Sequence, residues 1–409
     1  MKILMVTNSC SDKEYKLICK LRNKKIIDPQ QKFFRLLIDG LGKNKSCEVE
    51  VLSALPVSSS TINKYIFKNK TEITNEGVLY NYLPFFNGKF MRYLSLIVSS
   101  GYYINKWIKN NKKEDSIVIV DPLIPVIAIP TKKIAQKLGI KVAAIVTDLP
   151  TLSTSMKERK ESNFKEKCLS IYQKIADKDL TTYDYYITLT ESINDKVNVS
   201  NRPHCIVEGF ADSEDRDVSD IHENYIMYAG GVYEKYGVKE LVNAFLALKR
   251  EDVELYIFGE GSFSDELNKI CENNTKIRYF GCVSVDEVVN YEKRALLLIN
   301  PRPTDEEFAK YSFPSKTMEY LLSGSPVVST KLPGIPKEYF RYMYSFDGYS
   351  SREMREKIDE ILSLPKEELF KMGKKGHNFV INYKNNQIMA KKIIDFLESE
   401  EYETVKDNI

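Results

Sequence analysis

Between Tyr225 and Gly281 three apolar runs each end on glycine just before a helical stretch begins. This recurrence limits the fold more than any other feature of the chain. YIMYA stops at Gly230-Gly231, Lys235 and Gly237 follow, and VKELVNAFLAL then reads as an amphipathic helix. VELYIF stops at Gly259 and Gly261, and IRYF stops at Gly281. Short apolar runs alternating with helical ones are the pattern of a parallel sheet covered by helices. In such sheets the carboxyl ends of the strands line one crevice, and glycine there lets backbone approach a phosphate. One glycine-ended strand says little, whereas three in succession put their turns along a single edge.

A fourth run, Ala295 to Asn300, empties into a polar loop within NPRPTDEEFAKYSFPSKTMEYLLSGSPVVST. The loop feeds a short helix near Ser315 that carries Lys316 and Glu319 and stops at Ser323-Gly324. A loop of this kind offers unpaired N–H groups and the positive end of a helix dipole, both suited to a phosphate.

The amino-terminal half repeats the alternation. Lys2 to Asn8 (KILMVTN) reads as a buried parallel strand, followed by a basic loop and a helix from Pro29 that Gly40 and Gly42 end. No GxGxxG follows the first strand, which excludes a dinucleotide-binding dehydrogenase. Two later strands end on acids, IVIVD at Asp121 and KVAAIVTD at Asp148. Each carboxylate stands where a crevice would lie, and each can equally cap the next helix. Asp177-Lys178-Asp179 has the spacing of a metal-binding DxD, but it falls in a helical charged run and reads as solvated surface, part of a polar helical region over 151–180. SEDRDVSDIHEN (213–224) reads as a linker between two domains, the number that 409 residues imply. A last amphipathic helix spans 386–402, and the tail beyond it reads as disordered.

Charge is divided unevenly. Residues 1–113 hold 20 Lys and Arg against 8 Asp and Glu, although the whole chain is only +3. Such an excess points to an anionic surface or substrate. Within it, FFNGKFMRYLSLIVSSGYYINKWI (85–108) mixes rings with Lys89, Arg92 and Lys106, ahead of Lys109. This is either an element for the membrane interface or a core helix with a basic outer side, and Leu94 to Val98 are expected to be buried. No apolar run is long enough to span a bilayer, and the first residues read as a strand, not a signal peptide. Seven scattered cysteines and three histidines argue for free thiols in a reducing cytoplasm and against a metal site. The basic region contains no nucleic-acid-reading module.

In order, AGG…KYG, FGEG, YFGCV and FPSK..EY…G.PVV resemble the retaining glycosyltransferases of family 4, which have the GT-B fold. In texture they are similar to the bacterial enzymes of exopolysaccharide and capsule assembly. The resemblance implies an α/β chain of two doubly wound Rossmann-like domains facing a central cleft. Residues 1–206 with 384–409 would bind the acceptor, residues 207–383 the nucleotide-sugar donor, and the last helix would cross back onto the first domain. Gly230, Gly231 and Lys235 would form the diphosphate loop, with Gly259 and Gly261 under it. Cys282 and Val283 would read the base through main-chain groups. Ser315 and Lys316 would hold the diphosphate and Glu319 the ribose. Two departures stand out. Gly231 occupies the place of a common arginine, so the second cation falls to Lys235 or Arg302. Tyr311 occupies the place of a donor-sugar glutamate, eight positions before Glu319, leaving Glu306 or Glu307, with Ser312, to face the sugar. Asp121 and Asp148 would lie near the reacting sugar or acceptor.

The activity implied is transfer of a hexose from a nucleoside-diphosphate sugar, UDP the expected nucleotide, to a saccharide or lipid-diphosphate-linked acceptor. Protein cations would replace a metal, and no cofactor is expected. The enzyme would sit peripherally on the inner face of the plasma membrane, its basic domain against anionic lipid. Two other activities fit the same fold: a nucleotide-sugar epimerase, and a non-catalytic nucleotide-binding partner of a polysaccharide-assembly complex.

Overall fold

The computed structural model describes residues 1–22, 29–88, 90–149, 174–214 and 217–399. Lys89 and the helical reading of 151–173 lie outside them. The chain divides into two compact units, Met1–Glu208 with Asn386–Ile409, and Gly209–Asn385.

The first unit is built on an eight-stranded sheet. Its strands are β1 (Lys2–Thr7), β2 (Glu48–Ser53), β4 (Lys70–Ile73), β5 (Leu79–Tyr82), β7 (Ser116–Val120), β8 (Lys141–Val146), β9 (Tyr185–Thr188) and β10 (His204–Ile206). They run in the order β10-β9-β8-β7-β1-β2-β5-β4, with only the β4–β5 pair antiparallel. A small ribbon of β3 (Ile66–Phe67) and β6 (Phe85–Phe86) stands apart. β1 and β7 are buried almost throughout, as strands covered on both faces must be. Its helices include α1 (Asp12–Leu21), α2 (Pro29–Gly42), α3 (Met91–Asn110), α4 (Pro125–Lys137) and α5 (Glu191–Val197), and residues 174–180 are also helical.

Gly40 does not end α2, which runs on to Gly42. It sits where the last described helix, α12 (Asn386–Glu398), crosses. A Cβ on Gly40 would lie 2.3 Å from the Asn386 carbonyl oxygen. Asn386 donates its amide to the Leu36 carbonyl at 3.0 Å, fixing that crossing. The final helix therefore packs on the first unit.

Asp179 also departs from its sequence reading. It is no solvated surface group: its carboxylate binds the ammonium of buried Lys132 and accepts from the Tyr183 hydroxyl at 2.7 Å.

The second unit has six parallel strands: β11 (Glu223–Ala229), β12 (Glu254–Phe258), β13 (Ile277–Gly281), β14 (Ala295–Asn300), β15 (Val327–Thr330) and β16 (Tyr344–Phe346). Their order is β13-β12-β11-β14-β15-β16. The helices are α6 (Val238–Leu246), α7 (Ser264–Asn273), α8 (Val285–Glu292), α9 (Ser315–Ser323), α10 (Ser351–Leu362) and α11 (Lys366–Tyr383). The stripe Val238, Leu241, Val242 and Phe245 of α6 meets Ile226, Ile257 and Ile299 of the sheet in one core with Met354 and Ile358 of α10. Burial of such side chains stabilises by about 1.5–3 kcal/mol each.

Candidate active site

Sheet order reverses between β11 and β14, so the crevice of the second unit opens where these two strands end. The glycines there have a job that spacing did not reveal. A Cβ on Gly259 (φ +117°) would stand 1.8 Å from the Gly230 carbonyl oxygen, and one on Gly261 would stand 2.0 Å from that of Val232. Gly237 (φ +76°) presses in the same way on the Pro301 carbonyl, at 2.1 Å. These three glycines let one strand-end turn nest against the next, backbone on backbone. Gly230 and Gly231 crowd only rings, those of Tyr228, Tyr233 and Tyr236.

Two tyrosines pin this edge. The Tyr228 hydroxyl donates to the Gly231 carbonyl at 2.8 Å, and the Tyr320 hydroxyl of α9 accepts from the Ala229 N–H at 2.7 Å. Burial pushes both phenols well above their ordinary range, against the pull of neighbouring cations.

Three cations meet around these turns. Arg302 lies over the Tyr236 ring at 4.6 Å and near Phe308 at 5.5 Å. Lys235, in the exposed turn Glu234–Tyr236, is 5.7 Å from the rings of both Tyr233 and Tyr236. Lys316, in the first turn of α9, acts electrostatically on Tyr228, as Arg302 does. The candidates for the second cation thus share one aromatic platform. The helices entering this edge, α6 behind Gly237 and α9 behind Pro314, make no N-cap side-chain hydrogen bond. Helix N–H groups of this kind suit a ligand's oxygens.

Lys316 is held more firmly than its sequence position suggests. Its ammonium pairs with Glu319 at 2.8 Å and with Glu292 at 3.2 Å. Burial alone would lower its pKa, but the Glu292 and Glu319 carboxylates outweigh burial and hold it above the ordinary lysine range. Glu292 ends α8 and is 1% exposed, and sequence reasoning missed it. The available signal was an acid in the last turn of a helix, facing the unfavourable end of the dipole.

The remaining candidates lie as follows. Glu307 is exposed at the start of the turn Glu307–Lys310, with Tyr311 and Ser312 half-buried behind it. The loop is clamped from below, since a Cβ on Gly334 would meet the Ser312 carbonyl at 2.1 Å. Ser315 is exposed at the α9 N-terminus. Exposed Cys282 and half-buried Val283 follow the edge strand β13, two strands from β11. Burial and the adjacent Glu260 raise the Cys282 thiol's pKa.

Asp121 and Asp148 belong to the other unit. They end the neighbouring strands β7 and β8. Asp121 is fully buried, accepting from the Gln30 amide at 2.8 Å and from the Leu123 N–H at 3.0 Å. Its carboxylate is committed within the fold, an arrangement nearer to the cap reading than to an open catalytic acid. Asp148 is half-buried; burial raises its carboxyl pKa, and the Leu149 N–H, at 2.8 Å, pulls the other way.

Residues 212–379 match the family described as Glycosyl transferases group 1. No curated protein matches by sequence. Among solved structures, sucrose-phosphate synthase from Thermosynechococcus elongatus is similar with a TM-score of 0.62 at 11% identity, over 97% of this chain and 98% of that one. HepE of Anabaena, in complex with UDP and glucose, gives 0.59 at 11% identity over 98% and 100%. The lipopolysaccharide outer core galactosyltransferase WaaB gives 0.59 at 13% identity over 98% and 100%. The chain thus has the two-domain GT-B fold, and the family match falls within its second unit.

Proposed function

We propose that this protein is a retaining glycosyltransferase that moves a hexose from a nucleoside-diphosphate sugar, UDP the expected nucleotide, to a saccharide or lipid-diphosphate-linked acceptor. The convergence of Lys235, Arg302 and Lys316 at the switch point of a glycosyltransferase group 1 domain is the observation that carries this reading. Charge grows on the departing diphosphate as the anomeric bond breaks. Cations and free helix N–H groups fixed around it stabilise that charge without reorganising. Lys316 with Ser315 faces the diphosphate, and Glu319 accepts from the ribose hydroxyls. The acceptor hydroxyl attacks on the leaving group's face, and the departing phosphate takes its proton, so neither a dedicated base nor a metal is needed. Loop 302–312, with Glu307, Tyr311 and Ser312, faces the donor sugar. A role in exopolysaccharide or capsule assembly follows from the family resemblance, and a place on the inner face of the plasma membrane from the basic excess of residues 1–113.

The test is a thermal-shift screen with UDP, GDP, ADP and their sugars, followed by an assay of one labelled donor with and without acceptor. A true donor raises the melting temperature by mass action and is consumed only with acceptor present. Consumption without acceptor would identify an epimerase, and stabilisation without any turnover would identify a non-catalytic nucleotide binder. If no nucleotide stabilised the chain, the donor site would be misassigned.

A further inference from the structure

Helix α3 is apolar on both sides. Leu96, Ile104 and Trp107 face the core of the first unit, as the inner side of a packed helix should. The other side of its first turns is also apolar and is open. Phe90, immediately before the helix, is 70% exposed and Val98 is 72% exposed, with Leu94 and Ile97 between them at 43% each. Leu94 to Val98 are therefore not buried as sequence suggested, except for Leu96. The β3–β6 ribbon extends this surface. The Phe86 N–H donates to Ser95 of α3 at 3.1 Å, and Phe86 and its strand partner Ile66 are both exposed. A helix apolar all round normally has both sides covered. Here the described residues cover one.

Charge indicates what covers the other. From Gly77 to Lys113 the sequence contains six Lys and Arg and no Asp or Glu. Lys109 is exposed further along α3 on the side that carries Val98, roughly 16 Å beyond it at 1.5 Å rise per residue, and Lys106 is exposed on the flank of that side. Lys68 is exposed next to Asn69, whose amide donates to the Tyr103 hydroxyl of α3. A protein partner built to fill an apolar face would meet lysines with carboxylates of its own, and nothing in the chain selects such a partner. An anionic bilayer answers both features at once, taking rings and aliphatic side chains at the acyl boundary and cations at phosphate depth. No described helix is long and apolar enough to cross a membrane, so α3 would lie in the interface.

We propose that the outer face of the first turns of α3, with the β3–β6 ribbon, inserts into the interface of an anionic phospholipid membrane, with Lys68, Lys106 and Lys109 on the headgroups. The proposal rests on the membrane placement given above and adds the surface that makes it. It does not depend on the donor assignment.

The full chain, without nucleotide, is sedimented with phosphatidylglycerol–phosphatidylcholine vesicles and with phosphatidylcholine alone, at low and at physiological salt. Wild type should pellet with the anionic vesicles at both salt concentrations. Leu94→Glu with Val98→Glu should weaken that binding at least about tenfold, since area removed from the lipid sets affinity. Lys106→Ser with Lys109→Ser should weaken it mainly at physiological salt. All four positions are exposed, so the variants should keep the wild-type melting curve. Wild type left in the supernatant would overturn the membrane placement itself. Anionic binding unchanged in the Leu94/Val98 variant would overturn the α3 surface alone, leaving a diffuse attraction of the basic unit. A concentration-dependent dimer that the Leu94/Val98 variant dissolves, without vesicle binding, would assign the face to a second copy of the chain.

Discussion

The two units share a plan and use its switch point in opposite ways. In the first, the order reverses between β1 and β7, and the chain's own side chains close the strand ends. Gln30 bonds Asp121, while Gln31 donates to Asn8 at 2.9 Å and accepts from the Cys10 N–H at 3.3 Å. In the second, the order reverses between β11 and β14, and the strand ends carry closely packed glycines, two helices without N-cap side-chain bonds and three cations. A doubly wound sheet supplies a crevice in either case. Whether it becomes a site depends on what the following turns place there: short amides that satisfy one another, or glycines and positive charge that leave an anion to be supplied.

Lys316 offers the largest effect by which to break this contrast. Lys316→Met should reduce turnover at least about 100-fold if the cation stabilises the leaving diphosphate. It should not leave stability untouched, because buried Glu292 would lose its ion pair with Lys316, at a cost of about 3–5 kcal/mol. Lys316→Met combined with Glu292→Leu removes both charges of the pair. That variant should recover most of the lost melting temperature while staying inactive. Recovery of turnover along with stability would reduce Lys316 to a structural cation. Glu319→Ala should also lose most turnover, with a smaller change in stability, since its carboxylate is partly open to solvent.

Arg302 and Lys235 come next. Arg302→Ala should weaken UDP binding about 10- to 100-fold, the range for one charge-assisted hydrogen bond. Lys235→Ala should cost only about two- to fivefold, because an exposed cation is screened by solvent. Calorimetric titration of both variants decides which of them is the second diphosphate cation. A larger loss at Lys235 would reverse the ranking drawn from the shared Tyr236 platform.

Much of this contrast was legible in the sequence, for physical reasons that differ by residue. The alternation of apolar and amphipathic runs carries the layer architecture, since buried parallel strands must be apolar throughout. The strand-end glycines marked the carboxyl edge of the second unit's sheet, but not their main task. Contact between Gly259 and the Gly230 carbonyl spans two strands, and no local pattern encodes it. Glu292 was hidden in the same way, joined to Lys316 only by the fold. Asp121 and Asp148 look alike in sequence, each ending an apolar strand, and they part only when Gln30 closes over one of them.

In the first unit, the same contrast predicts that Asp121 acts on stability before chemistry. Asp121→Ala leaves the Gln30 amide and the Leu123 N–H without their acceptor, at roughly 1–3 kcal/mol for each group left unpaired. The melting temperature should fall by several degrees, with turnover per folded molecule nearly unchanged. A variant that melts like wild type yet turns over slowly would move Asp121 back among the catalytic groups.

The smallest effect tests the far edge of the second unit. Cys19 and Cys282 are the exposed thiols among the described residues, one in each unit. Cys10 and Cys205 are buried, and burial pushes their thiols up to about 12 and about 11, so neither should react in the native protein. If the nucleotide base lies against the main chain at Cys282 and Val283, saturating UDP should slow alkylation of Cys282 a few-fold and leave Cys19 unchanged. Peptide mapping after brief iodoacetamide treatment measures both in one sample, with Cys19 as the internal reference. Equal protection of the two would indicate a global stabilisation, and no protection of Cys282 would move the base away from β13 while leaving the diphosphate assignment at β11 and β14 in place.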